Sequence, residues 1–230
     1  MQDAAYSAWY KEAIMPLTNL RIAFLAWFIV GVTTSSGWAV EPATSTVLPK
    51  GFQAKVEYCK TCHGSMGQGY RGATPMPRLA GQQTEYFQNQ LKAFTERRRE
   101  NKFMYNVAHV LSPEMLAALA SHFNGLNPKP LGGGSTDLVA EGKTIFVDGL
   151  PKAEVPPCAS CHGDDAKGNG LFPRLAGQLP DYVRKNLTNW SKDRGQDLKN
   201  PDNSAIMAPI AHNLNEHQVA AVAAYLSTIE

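Results

Sequence analysis

The sequence predicts an all-α protein made of two tandem units. Three observations carry that reading. First, a block of motifs occurs twice in one order. Cys59-Lys60-Thr61-Cys62-His63 returns as Cys158-Ala159-Ser160-Cys161-His162, and Pro77-Arg78-Leu79-Ala80-Gly81-Gln82 returns as Pro173-Arg174-Leu175-Ala176-Gly177-Gln178. Met104, Ala108-His109 and Leu111 return as Met207, Ala211-His212 and Leu214. A block repeated at a near-constant offset marks a duplicated structural unit. Second, apolar residues between the motifs fall at helical spacing. Third, no run shows sustained two-residue alternation.

The elements follow in chain order. Ile22 to Val32 is an uncharged apolar run preceded by Arg21 and followed by Thr33 to Ala39, small and polar. That is the pattern of a secretory signal peptide, with cleavage expected after Ala39 and a more ordinary length if translation starts at Met15. An uncleaved anchor is the competing reading. The run spans roughly 17 Å as a helix, against a hydrocarbon core of ~30 Å. Residues 40–126 form the first unit, 127–136 (NPKPLGGGST) read as a Pro/Gly-rich linker, and 137–230 form the second unit. In the first unit, helical spacing from Phe52 leads into the cysteine motif, and Gln83 to Arg97 is the middle helix. Ser112-Pro113-Glu114 is a helix start, with an N-cap serine, proline at N1 and an acid in the first turn. Leu116, Leu119, Ala120 and Phe123 form the inward stripe of that last helix. The second unit repeats this with Leu138 to Phe146, Pro180 to Trp190, and a last helix from Asn215-Glu216 that turns Val219, Val222, Ala223 and Leu226 inward.

The two C-x-x-C-H pentapeptides use all four cysteines of the chain. That spacing attaches a c-type haem: Cys59 and Cys62, like Cys158 and Cys161, form thioethers, and His63 and His162 become iron ligands. Two intervening residues bring both sulfurs to one side of a helical turn, and the next histidine falls under the ring. A zinc site would need a second nearby pair, whereas these pairs lie 99 positions apart. A thioredoxin-like pair would need a βαβ context, and structural disulfides are the remaining competitor. Two covalent haem c groups are therefore the expected cofactors. A small domain has a modest core, so each unit is expected to need its haem to fold.

The ligand on the other face of each iron separates electron transfer from small-molecule chemistry. Of Met66, Met76, Met104, Met115 and Met207, only Met104 and Met207 correspond across the duplication, and the others read as core filler. His109 and His212 also recur, five residues after each methionine, and offer a bis-histidine alternative. His122 and His217 do not correspond and read as surface or helix residues.

From Gly51 to Ile229 the chain resembles a dihaem cytochrome c of the cytochrome c4 type, two class I cytochrome domains in tandem. The likeness rests on both C-x-x-C-H-G motifs, both PRLAGQ segments and the Met-x-x-[VI]-Ala-His-x-Leu segment before each last helix. It implies a fold wrapped round one covalent haem per domain, with Met104 and Met207 as the distal ligands. It also implies that Pro77 and Pro173 offer their carbonyls to the second nitrogens of His63 and His162, fixing the imidazole tautomer. The copies depart from each other in loop length: three more residues before Pro77, seven more before Met207, and a longer approach to Cys158.

Charge is uneven. Residues 40–131 hold 11 Lys and Arg against 6 Asp and Glu, a formal +5, while 132–230 hold 9 against 12, a formal −3. The Arg97-Arg98-Arg99 run reads as a solvated helix end, with steering of an acidic partner as the functional alternative. Nucleic-acid binding does not fit an exported chain without a large basic excess, and membrane association is expected only if the N-terminal segment is uncleaved. Closed irons, no spare cysteine and no acid/base set argue against an enzyme, whether a dihaem peroxidase or a thiosulfate-oxidising cytochrome. The expectation is a periplasmic carrier of single electrons. The resemblance implies a quinol-oxidising complex or dehydrogenase as donor and a terminal oxidase as acceptor. The alternative is the cytochrome subunit of a flavocytochrome or other dehydrogenase.

Overall fold

The computed structural model describes residues 48–194 and 204–230. The signal-peptide reading of 1–39 and the choice between Met1 and Met15 lie outside them. Among the described residues the secondary structure is helical, with only isolated β-bridges. The all-α expectation holds.

In the first repeat, α1 (Phe52–His63) carries the first cysteine motif, and α2 (Thr84–Thr95), α3 (Lys102–Ala108) and α4 (Pro113–Asn124) follow. Helix α2 stops two residues short of the predicted end because Arg97 adopts a left-handed φ of 58°, which breaks the helical run. Helix α4 starts where the sequence placed it: Ser112 Oγ accepts from Met115 N at 3.3 Å, with Pro113 in the first turn. Leu116, Leu119, Ala120 and Phe123 are buried and join Val56, Phe87 and Leu91 in one core. There Phe87 stacks on Phe123, centroids 5.8 Å apart.

In the second repeat, a 3₁₀ turn (Thr136–Leu138) leads into α5 (Val139–Asp148). A second 3₁₀ turn (Pro151–Ala153) precedes α6 (Ala159–His162), which carries the second cysteine motif. After it come α7 (Pro180–Thr188), α8 (Trp190–Asp193), α9 (Ser204–Asn213) and α10 (Glu216–Leu226). The predicted middle helix is thus two short helices, separated at Asn189, which leaves the helical region at φ −106°. Asn215 and Gln218 form a reciprocal capping box on α10. Val219, Val222, Ala223 and Leu226 are buried with Ile145, Phe146 and Val183 in a second core. Helices α5 and α10 cross closely: a Cβ added to Gly142 would sit 1.9 Å from Ala221 O. Only a residue without a side chain permits that approach.

The described residues belong to one compact unit, and the repeated PRLAGQ segments lie at the seam between the two cores. Each first docks on its own terminal helix. Gly81 N donates to Phe123 O at 2.7 Å, and Gly177 N donates to Leu226 O at 2.9 Å. The segments then clasp each other. Gln178 Oε1 accepts from Arg78 N at 2.8 Å and its Nε2 donates to Arg78 O at 3.2 Å. Gln82 returns the pattern, accepting from Arg174 N at 2.8 Å and donating to Arg174 O at 3.1 Å. The predicted linker is held down here: Asn127 Oδ1 accepts from both Arg78 and Arg174, and Pro128 O accepts from Arg78. Burial, and then the like charge of Arg174, push the Arg78 guanidinium down to about 10. Neutral acceptors around both arginines offset part of that cost.

Candidate haem-attachment sites

Each site begins with a helix that ends on its histidine. Beyond it, Gly64 (φ 86°) and Gly163 (φ 79°) take left-handed turns that a side chain would resist. The chain then folds back: Gly69 N donates to His63 O and Gly168 N donates to His162 O, both at 2.8 Å. This return fixes the PRLAGQ segment. Leu79 N and Ala80 N bond Gly67 O at 2.8 and 2.9 Å, while Leu175 N and Ala176 N bond Ala166 O at 2.7 and 2.9 Å. The outcome is the same in both halves. His63 Nδ1 lies 2.9 Å from Pro77 O, and His162 Nδ1 lies 3.0 Å from Pro173 O.

A carbonyl oxygen only accepts, so each Nδ1 carries the proton and donates. Nε2 is then the unprotonated nitrogen, the form that ligates a metal. Burial, the largest influence, lowers both imidazole pKa values. The carbonyl works against that shift in each, and the charge of Arg99 adds to it at His63. Both rings therefore stay neutral and oriented.

None of the four cysteines is paired in a disulfide. Burial raises the Cys59 and Cys158 thiols to about 11. Cys59 opens onto a cleft of about 220 Å³ between α1 and α3, lined by Tyr58, Phe103, Val107, Val110 and Leu111 among others. Tyr58, Phe103 and Val110 are more than half exposed. A thiol pair, a neutral imidazole and an apolar cleft with uncovered aromatic and aliphatic walls fit a large, flat, apolar group bound through thioethers. The residues present therefore suit haem c.

Met104 sits on α3, half-buried, and packs against the first core, as Cys59 does. Met207 is half-buried on α9, which contains Pro209. His109 and His212 are exposed, and His109 stacks on Tyr105 at 6.0 Å. The core-filler reading of the other methionines holds for Met115 alone; Met66 is half exposed and Met76 intermediate. His217 is on the surface, its Nε2 2.8 Å from Glu141. His122 packs edge-on to Phe52 and Phe123, with its Nε2 buried and unpartnered.

Two sets of residues were misread or missed in the sequence. The arginine run is not simply solvated. Arg98 pairs with Glu96 at 2.6 Å, and Arg99 turns into the seam, donating to Gln90 Oε1 at 2.8 Å and Tyr182 OH at 2.6 Å. Gln82 and Gln178 were seen only as parts of a motif. Their signal was there: a glutamine at the same place in both repeats, beside a repeated arginine, with no catalytic role to explain it.

Comparison with known proteins gives a consistent set. The family Cytochrome c matches residues 139–230. Cytochrome c-552 of Acidithiobacillus ferridurans is 36% identical, covering 96% of this chain and 92% of that protein. Cytochrome c4 of Thiocapsa roseopersicina is 34% identical over 77% of this chain and 91% of its own length. A thiosulfate dehydrogenase electron acceptor of Thiomonas intermedia is 34% identical, covering 74% and 77%. Among solved structures, cytochrome c4 of Acidithiobacillus ferrooxidans matches with a TM-score of 0.62 and 35% identity, over 75% of this chain and 99% of that one.

Proposed function

The chain belongs to the cytochrome c4 family of dihaem cytochromes c, and from that premise we propose that it is a periplasmic shuttle for single electrons. That it is an electron-transfer protein with two covalent haem c groups, and not an enzyme, follows from the family. The finer reading concerns residues, place and partners. Cys59 and Cys62, and Cys158 and Cys161, would anchor the two groups. His63 with Met104 and His162 with Met207 would hold the two irons. Each haem supplies a one-electron Fe(II)/Fe(III) couple.

The protein's own residues keep that couple simple. Pro77 and Pro173 hold the imidazoles in one tautomer and raise their donor strength. The single observation carrying the proposal is the paired His–Pro geometry, reproduced within 0.1 Å in both halves. A thioether from Met104 or Met207 would favour the ferrous state of the bound haem and raise its potential. The exposure of His109 and His212 supports methionine over histidine in that place. We assign 40–126 and 137–230 as the two domains, 127–136 as the linker and 1–39 as the export signal.

The partners are redox proteins. The thiosulfate dehydrogenase electron acceptor among the relatives supports a dehydrogenase as donor, with a quinol-oxidising complex as the second candidate donor and a terminal oxidase as acceptor. A redox titration of the purified holoprotein tests this. Two one-electron waves, with near-infrared magnetic circular dichroism showing one methionine–iron band per haem, are expected. A methionine–iron band at half amplitude contradicts the ligand assignment.

A further inference from the structure

A single peptide group joins each site histidine to the other half of the protein. His63 Nδ1 lies 2.9 Å from Pro77 O. That carbonyl shares one planar peptide group with the N–H of Arg78, and the N–H donates across the seam to Gln178 Oε1 at 2.8 Å. The second half mirrors the first. His162 Nδ1 lies 3.0 Å from Pro173 O, and the N–H of the same peptide group, on Arg174, donates to Gln82 Oε1 at 2.8 Å. The two chains of bonds cross, so the glutamine of each repeat ends on the histidine of the other.

The carboxamides are locked. Arg78 N only donates and Arg78 O only accepts, so Gln178 must present Oε1 to one and Nε2 to the other. Leu179 N adds a bond to Gln178 Oε1 at 3.0 Å, and Gln83 N adds one to Gln82 Oε1 at 2.9 Å. Both glutamines and both arginines are buried, and a hydrogen bond is electrostatically stronger there than in water. Amide resonance carries the effect through the peptide. Donation by the N–H moves electron density onto the carbonyl oxygen of the same group, and bonds in such a chain strengthen one another by about 10–30% each. The oxygen that faces Nδ1 is then a better acceptor, which leaves more electron density on the imidazole and on Nε2.

We propose that Gln178 tunes His63 through Pro77, and that Gln82 tunes His162 through Pro173, so that each half sets the donor strength of the other half's ligand. The two glutamines are positioning residues acting through a peptide group. The inference rests on the reading of His63 and His162 as iron ligands. A more electron-rich imidazole would favour the ferric state, so each glutamine would hold the potential of the opposite haem down.

The test is NMR of the reduced, diamagnetic holoprotein, with a redox titration followed histidine by histidine. Gln178→Ala is expected to move the His63 Nδ1–H resonance upfield, leave that of His162 in place, and raise the potential of the first haem alone. Gln82→Ala is expected to do the same at His162 and the second haem. Gln82→Glu separates tuning from mere anchoring. It keeps an acceptor for Arg174 N, so the His162 resonance should stay at or downfield of its wild-type position, whereas lost anchoring would move it as alanine does. Movement confined to the substituted half, equal movement at both histidines, or no movement overturns the proposal. If the variants do not mature, scalar couplings across the hydrogen bonds of the wild-type protein decide. Coupling between Arg78 N and Gln178 Cδ, and between Arg174 N and Gln82 Cδ, is required, and its absence overturns the relay. Histidine ring protons lacking the large upfield shift of an axial ligand would defeat the ligand reading instead.

Discussion

Replacing Gln82 with alanine breaks the seam in a way the structure quantifies. The side chain makes three hydrogen bonds: from Arg174 N at 2.8 Å, to Arg174 O at 3.1 Å, and from Gln83 N at 2.9 Å. Arg174 is 6% exposed, so its amide and carbonyl have little access to replacement water. A buried polar group left unsatisfied costs about 1–3 kcal/mol. Two such groups put the loss at about 2–4 kcal/mol after partial relaxation. Gln178→Ala should cost the same, because its bonds to Arg78 and Leu179 repeat the pattern. The two glutamines serve one interface, so the double variant should cost about 1–2 kcal/mol less than the sum. Gln82→Met retains the side-chain length without the polar atoms, and should fall close to alanine if hydrogen bonding, not volume, is what matters. Guanidinium unfolding of the oxidised holoprotein, followed by Soret absorbance and tryptophan fluorescence, reads all four variants. Losses below about 0.5 kcal/mol each, adding without coupling, would refute the clasp.

Other expectations are equally direct. Met104→Ala and Met207→Ala should each remove half the near-infrared methionine–iron band and lower one potential, whereas His109→Ala and His212→Ala should leave the band intact. The chain without haem should lose cooperative melting and most of its helical circular dichroism; a holo-like melt would show that the cores suffice alone. Gly142→Ala places a methyl against Ala221 O and should destabilise the second half by about 1–3 kcal/mol, measured by thermal unfolding. Burial lowers the His122 pKa, so below its ordinary value of about 6.5 the unfolded chain binds a proton that the folded chain resists. Stability should therefore fall as the pH drops from 7 through 6.5, and His122→Phe should flatten that slope.

Much of this was legible in the sequence. The cysteine motifs, the Ser112 and Asn215 caps and the inward stripes of α4 and α10 are local patterns, and local patterns survive folding. Helix ends were less legible, because a left-handed residue such as Arg97 is set by its surroundings and not by its own propensity. The seam was illegible as an interface. Arg78, Gln82, Arg174 and Gln178 read as ordinary polar residues until the second copy of the same segment is brought against the first. A repeated motif names its partner only when the two copies meet.

The account turns on both irons being closed. Adding carbon monoxide to the dithionite-reduced holoprotein at neutral pH, without denaturant, tests it most directly. An unchanged Soret band in both haems is the predicted result. A carbon monoxide-bound spectrum forming readily at either haem would reveal an open coordination position and contradict the electron-shuttle account.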